Sequence, residues 1–182
     1  MQIEKIGICQ KQERMEKIDV RSLSDNFIET IGKEWMLVGA GKGEEHNMMT
    51  ASWGCMGWLW NKPVAVVFIR PERFTHHLIE ENDTMTLSFL GDAEEMRKVY
   101  AYCGSKSGRD GNKTKAAGLH PVVLDGGDVA FEEARLTLVC RKLYKDAIKP
   151  ECFIDPTISQ WYGEKGGLHD VYVVEIVEAL KR

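Results

Sequence analysis

Three short segments carry side chains whose types and spacing can do chemistry. The first is Arg70-Pro71-Glu72-Arg73-Phe74-Thr75-His76-His77, which lies between a strongly apolar run and an amphipathic one, the mark of a strand passing into a helix. At such a turn the first helical N–H groups lack backbone partners. Thr75 is expected to be the N-cap there, and Arg70 and Arg73 bring two permanently charged guanidinium forks to the same corner. A phosphate is the group that corner would hold. The competing local reading, with about equal weight, pairs the arginines with Glu72 or Glu80 on a solvated surface.

The second segment, Asn47-Met48-Met49-Thr50-Ala51-Ser52-Trp53-Gly54, sets small polar side chains among apolar ones and breaks at glycine. Its hydroxyls and backbone amides can read the edge of a planar heterocycle. Taken alone, Thr50 and Ser52 are better read as ordinary β-formers on a wet face. Trp53, Trp58 and Trp60 can stack on a ring, although tryptophan clusters more often serve cores and interfaces. The third segment runs from Cys103 to Lys113, where glycines and serines free backbone N–H groups beside Lys106, Arg109 and Lys113, in the manner of an anion nest. A plain surface loop is the stronger local reading. The spacing GxxxxGK[ST] is absent, so nucleoside triphosphate hydrolysis is not indicated.

Other chemistries are excluded by their missing patterns. His76 and His77 are neighbours, but adjacent helical residues point about 100° apart and do not share a metal. Neither HExxH nor GxSxG occurs, and Cys103 at a helix C-terminus has nothing to lower its thiol pKa. No metal site and no catalytic acid or base is expected. The five cysteines, Cys9, Cys55, Cys103, Cys140 and Cys152, are odd in number and widely spaced, which argues against a disulfide framework and predicts mostly buried thiols.

The elements that must position these groups are legible in the apolar pattern. With 182 residues and 43% apolar side chains the chain has material for one sizeable core, and a single domain over 1–182 is expected, with 1–18 as an N-terminal arm that includes at most a short strand. A net charge of −4 argues against nucleic acid as partner. The longest apolar run, Pro63 to Ile69, is too short to span a bilayer, and the acidic start Met1-Gln2-Ile3-Glu4 does not read as a signal peptide, so no membrane association and a cytoplasmic location are expected. Ser22 and Asp25 fit a capping box for a helix over 22–33. Strands are expected at 35–39, 48–53 and 64–69, the last covered on both faces. Another at 84–89 sends Met85, Leu87 and Phe89 to the core and its hydroxyls to a polar side. Helices are expected at 74–82 and 92–103, a long β stretch at 129–145, and a final strand at 171–177. Many strands without βαβ alternation predict a mainly β fold, a closed antiparallel barrel with added helices.

The order and spacing of Asn47 to Trp53, the strand Pro63 to Ile69, Arg70 to Thr75, the strand Thr84 to Phe89 and Ser107-Gly108-Arg109-Asp110 followed by Lys113 resemble the flavin reductase-like family, in particular its flavoredoxin-type members, over about residues 33–177. The resemblance implies an FMN-binding split β-barrel, normally a homodimer with the flavin near the subunit interface. It implies that Asn47, Met48, Met49, Thr50, Ala51, Ser52 and Trp53 line the isoalloxazine, that Arg70, Arg73, Phe74 and Thr75 form the phosphate corner, and that Ser107, Arg109 and Lys113 help close the site. Trp161, within Ser159 to Gly163, would cover the flavin or a dimer contact. The chemistry would be the cofactor's: electrons from NAD(P)H or a redox protein pass through FMN to an acceptor. A dinucleotide fingerprint GxGxxG is missing, so a nicotinamide would dock only transiently. The alternative is a non-enzymatic split-barrel module, an electron carrier, store or sensor holding FMN or haem, with His46, His76, His77, His120 or His169 as axial ligand for the latter.

Overall fold

In the computed structural model, which describes residues 15–163 and 167–182, β2 (Met36–Lys42) and β3 (Glu45–Ala51) form a hairpin. β4 (Gly54–Leu59) and β5 (Lys62–Ile69) form another. Between these hairpins in the sheet lie β6 (Thr84–Phe89), β9 (Leu136–Ala147) and β10 (Asp170–Lys181), in the antiparallel order β3-β2-β6-β9-β10-β5-β4. Laid flat, seven strands would hold β3 and β4 roughly 29 Å apart at about 4.8 Å per strand. Ser52 and Trp53 alone join them, a reach of about 10 Å. The sheet therefore curls until its two edges meet. No ladder joins β3 to β4 among the described residues, so the barrel is split at that seam.

Alternation places the interior. Met36 and Val38 of β2, Ala65 and Val67 of β5, Met85, Leu87 and Phe89 of β6, Leu136 and Leu138 of β9, and Tyr172 and Val174 of β10 converge in one buried cluster. A register shift between Ile176 and Glu178 changes the inward spacing from two residues to three, and Ala179 follows Ile176 into the core. α2 (Phe74–Glu81) closes one end with Leu78 and Ile79. A second apolar layer covers the outside of β2 and β3, where Leu37 and Met48 meet Tyr100 and Cys103 of α3 (Glu94–Ser105), together with Val129 and Phe131 of β8 (Val129–Phe131), which pairs with β7 (Pro121–Val123).

Several expectations are corrected. The helix over 22–33 is instead a 3-10 turn at Val20–Ser22 followed by α1 (Phe27–Glu29) and a π turn at Thr30–Glu34, with Asn26 rather than Ser22 as cap. The Asp25 carboxylate is taken by Arg135 at 2.6 Å and so is unavailable for a capping box. The β stretch 129–145 breaks into β8 and β9, since Ala134 turns back to Phe131 between them. The hydroxyl side of β6 is buried: Thr86 donates to the Val129 carbonyl and Ser88 meets Thr137. The tryptophan-bearing segment Gly54–Leu59 is an exposed edge strand. Cys103 and Cys140 are buried, but Cys55 and Cys152 are exposed, contrary to the mostly buried expectation, and Cys9 lies outside the described residues. Of the expected N-terminal arm, residues 1–14 also lie outside them, while β1 (Glu16–Ile18) pairs with the end of β10. Among the described residues no helix is long and apolar enough to cross a membrane.

Candidate functional site

The seam between β3 and β4 opens into a cleft of about 190 Å³. Its walls are Met49, Thr50, Ala51, Ser52 and Trp53 from the end of β3 and the link, Phe68 and Arg70 from the end of β5 and just beyond, Arg73, and His169. A second cleft, of about 160 Å³, lies at the start of α2 between Glu72, Arg73, Phe74 and Thr75 on one side and Ser105, Lys106, Ser107, Gly108, Arg109 and Lys113 on the other. Arg73 lines both, so the aromatic cleft and the cationic cleft are neighbours joined at one guanidinium.

Strand order explains the first cleft. Asp170 of β10 pairs with Ile69 of β5, which sets His169 beside Arg70 at the same rim. Trp53 meets His169 with ring centroids 5.1 Å apart and Trp161 edge-on at 6.0 Å. Thr50 lines this cleft, but its proton is committed to the Tyr100 carbonyl at 2.6 Å, leaving the hydroxyl oxygen as an acceptor. Arg70 donates to the Trp161 carbonyl at 3.3 Å, and its approach to Glu72 is a loose 3.8 Å. Glu80, the other expected surface partner, is engaged by Lys145 and Tyr172 instead.

The second cleft is cationic by construction. Arg73 donates to the Cys103 carbonyl at 3.4 Å. Lys113, from α4 (Lys113–Ala116), is buried and donates to the carbonyls of Met48 at 2.7 Å and Cys103 at 3.1 Å. Burial drives the Lys113 ammonium pKa down to about 8, with the nearby Cys103 opposing and Arg73 reinforcing that shift. Burial likewise holds Arg73 below the usual arginine range, Glu72 opposing and Arg70 adding to it. The Cys103 thiol is pushed up to about 11 by desolvation, which outweighs the pull of Lys113, so it is not an activated nucleophile. Arg109 sits 5.2 Å over the Phe74 ring and donates to the Glu72 carbonyl. Among the described residues Arg73, Lys106, Arg109 and Lys113 have no carboxylate within ion-pair distance.

Gly108 fixes how closely the loop approaches. A Cβ there would lie 2.4 Å from Asn47 Oδ1 and 2.8 Å from Phe74 Cδ1, so only glycine lets the loop seat against β3 and α2. Ser107 caps the 3-10 turn Gly108–Asp110 by accepting from the Arg109 N–H.

Several predicted residues do other work. Thr75 is not the N-cap: α2 begins at Phe74 after Arg73, and Thr75 is buried at the second helical position, where its oxygen accepts from Asn47 Nδ2 at 2.8 Å. Asn47 therefore ties β3 to α2 and does not line the aromatic cleft. Met48 points the other way, into the outer apolar layer, as alternation along β3 requires. Trp161 stands at the rim against Trp53, 60% exposed. Phe68, Glu72, Ser105, Lys106 and Gly108 line the clefts without having been singled out as flavin contacts, and His169, considered only as a haem ligand, lines the aromatic one. For His169 the only signal was its place just before β10, and that becomes informative once β10 is known to pair with β5.

Residues 29–181 match the family model described as the flavin reductase-like domain. A flavoredoxin from Methanosarcina acetivorans is similar in structure, with a TM-score of 0.62 and 21% identity over 92% of this chain and 76% of that one. An FMN-binding protein from Thermus thermophilus with bound p-hydroxybenzaldehyde has a TM-score of 0.61 and 23% identity over 81% of this chain and 71% of its own. An NADH:FAD oxidoreductase from Streptomyces globisporus C-1027, in complex with NAD and FAD fragments, has a TM-score of 0.60 and 16% identity over 82% and 75%. At these identities the likeness is one of fold. No curated protein matches the chain.

Proposed function

The chain belongs to the flavin reductase-like domain family, and from that premise we propose that it is an FMN-binding oxidoreductase. The observation that carries the reading is the junction at Arg73 of an aromatic cleft with a cleft rimmed by four cations that lack carboxylate partners. A ring system joined to a phosphate is the ligand such a pair complements. The residues present fit that group: Gly108 lets the loop that carries Ser107 and Arg109 seat tightly against Asn47 and Phe74 and so fixes the cationic wall, and among the described residues the one buried side-chain polar atom without a partner belongs to His169 in the aromatic wall.

Arg73, Lys106 and Arg109 would hold the phosphate, with Lys113 behind them lending charge while it braces β3 against the end of α3. Met49 to Trp53 would present backbone amides and the Thr50 and Ser52 oxygens to the ring's polar edge, and Trp53 would supply an apolar wall. Bound FMN would supply the redox chemistry, passing electrons from NAD(P)H or a redox protein to an acceptor. No side chain need act as acid or base, and none is assigned as catalytic. A homodimer is part of the reading, with the exposed Trp58 and Trp60 of the β4 hairpin and Trp161 at the cleft rim as apolar surface that a second copy can cover. A cytoplasmic setting, where reduced nicotinamides are abundant, suits it.

A haem module is the weaker reading. His46 uses both ring nitrogens on Gly43 and Thr114, and His76, His77 and His120 each meet a carboxylate. The test is a visible spectrum of the purified protein with added FMN, then anaerobic NADH and NADPH. A bound flavin bleached promptly by a nicotinamide is the expected result. A bound flavin that resists both donors points to a carrier reduced by another protein. A Soret band, or no interaction with FMN, overturns the proposal.

A further inference from the structure

We propose that His169 is a ligand-contacting residue of the aromatic cleft, offering a neutral imidazole to the polar edge of the ring system held there. The assignment rests on the flavin reading above and adds to it a contact from the residue just before β10, whose ring packs beside Trp53. Buried polar atoms in folded proteins are almost always paired, and an exception calls for an explanation. Among the buried side-chain polar atoms of the described residues the one exception is His169 Nδ1, on a residue left 8% exposed and lining the cleft with Ser52, Trp53 and Arg70.

The imidazole is held in place without being used. Its ring meets Trp53 at 5.1 Å and Tyr162 at 5.6 Å, and its backbone carbonyl accepts from the Ile148 N–H at 2.9 Å. A half turn about Cβ–Cγ exchanges Nδ1 with Cδ2 at no change in volume, so the same aromatic seat can turn a nitrogen toward a ligand. Burial first, and then the neighbouring Arg70, disfavour the charged imidazolium, with Glu72 opposing more weakly. A neutral imidazole has one donor and one acceptor nitrogen. That pair suits the amide-like edge of a planar heterocycle, which also carries a C=O and an N–H.

Wild-type protein, His169→Phe and His169→Asn are compared for FMN affinity, by quenching of flavin fluorescence, and for the thermal midpoint of the flavin-free protein. Phenylalanine keeps the ring and removes the nitrogens; asparagine keeps a polar atom near the Nδ1 position. His169→Phe is expected to weaken FMN binding about tenfold, while the flavin-free midpoint stays level or rises because an unpaired polar group has gone. His169→Asn is expected to stay within about threefold of wild type. Unchanged affinity in His169→Phe overturns the assignment and leaves the flavin reading standing. Equal weakening in both variants with a parallel fall in midpoint also overturns it, since the residue is then only a wall. If the phenylalanine variant does not fold, His169→Leu takes its place on the same criteria. A wild-type protein that does not bind FMN overturns the flavin reading and the assignment with it.

Discussion

Helix α2 carries charge at its start and along the side that faces the barrel, and the two are treated in opposite ways. Along the barrel side, His76 meets Asp170 at 2.8 Å, Lys145 bridges Asp170 and Glu80, and Tyr172 donates to Glu80 at 2.6 Å. Each charge there has its counter-charge. At the start of the same helix Arg73 joins Lys106, Arg109 and Lys113 among backbone carbonyls and an aromatic face, with Glu72 also lining the cleft but in an ion pair with none of the four. The first network is complete without any ligand and works as a plug for the barrel end. The second leaves cations uncompensated at a cost that an anion would remove. Completeness separates structural charge from charge held for a partner, although both lie within a few residues of one another on one helix.

If that distinction is right, the largest effect comes from removing the open charges. Arg73→Ala combined with Arg109→Ala is expected to weaken FMN binding about a hundredfold or more, since two charge-assisted contacts are lost. Its melting midpoint should change little, because each guanidinium donates only to a backbone carbonyl in the free protein and closes no ion pair. Fluorescence titration beside a thermal melt reads both. A fall in stability as large as that in affinity would merge the two neighbourhoods into one structural network.

Next in size is Gly108→Ala. The added Cβ collides with Asn47 and Phe74, so the loop bearing Ser107 and Arg109 must move off α2. We expect about a tenfold loss of FMN affinity, with a smaller loss for Gly111→Ala, where the space is open but the positive φ of 144° is strained for alanine.

Lys113 allows a pH test of the open site. In the free protein its pKa is about 8, below the ordinary 10.5, so between these values the unfolded chain holds more protons and stability rises with pH. A bound phosphate favours the charged ammonium and draws a proton back. FMN affinity is therefore expected to decline above about pH 8, by at most about tenfold per pH unit, and the decline should vanish in Lys113→Met. A pH-independent affinity would remove Lys113 from the anion's surroundings.

How much of this was legible beforehand follows from which contacts are local. Strict alternation in Met85, Leu87 and Phe89 and the apolar run to Ile69 announce the barrel, and the run of residues after Ile69 announces helix and cationic corner together. The errors arise where a distant partner outbids a local one. Asp25 is claimed by Arg135, and Thr75 is claimed by Asn47, which no spacing along the chain reveals. Met48 and Met49 differ only in which layer they enter, and strand register decides that. His169 became part of the cleft only through the pairing of Asp170 with Ile69.

The smallest expected change in affinity lies at the closed network, and it is the sharpest check on the contrast. Tyr172→Phe removes the hydroxyl that donates to Glu80 while leaving the buried ring, and should destabilise the fold by about 1–2 kcal/mol. Burial raises the Glu80 carboxyl pKa, but the hydrogen bonds from Lys145 and Tyr172 outweigh it and hold the group below its ordinary 4.5. Its contribution is therefore present at neutral pH and lost as pH falls below about 4.5, so the difference between wild type and Tyr172→Phe should narrow in acid. FMN affinity at neutral pH should stay within about twofold of wild type, because an ion-paired network has no charge to offer an incoming phosphate. A variant that keeps its stability and loses FMN would show that the barrel plug and the binding cleft are one device, and completeness of pairing would no longer tell structure from site.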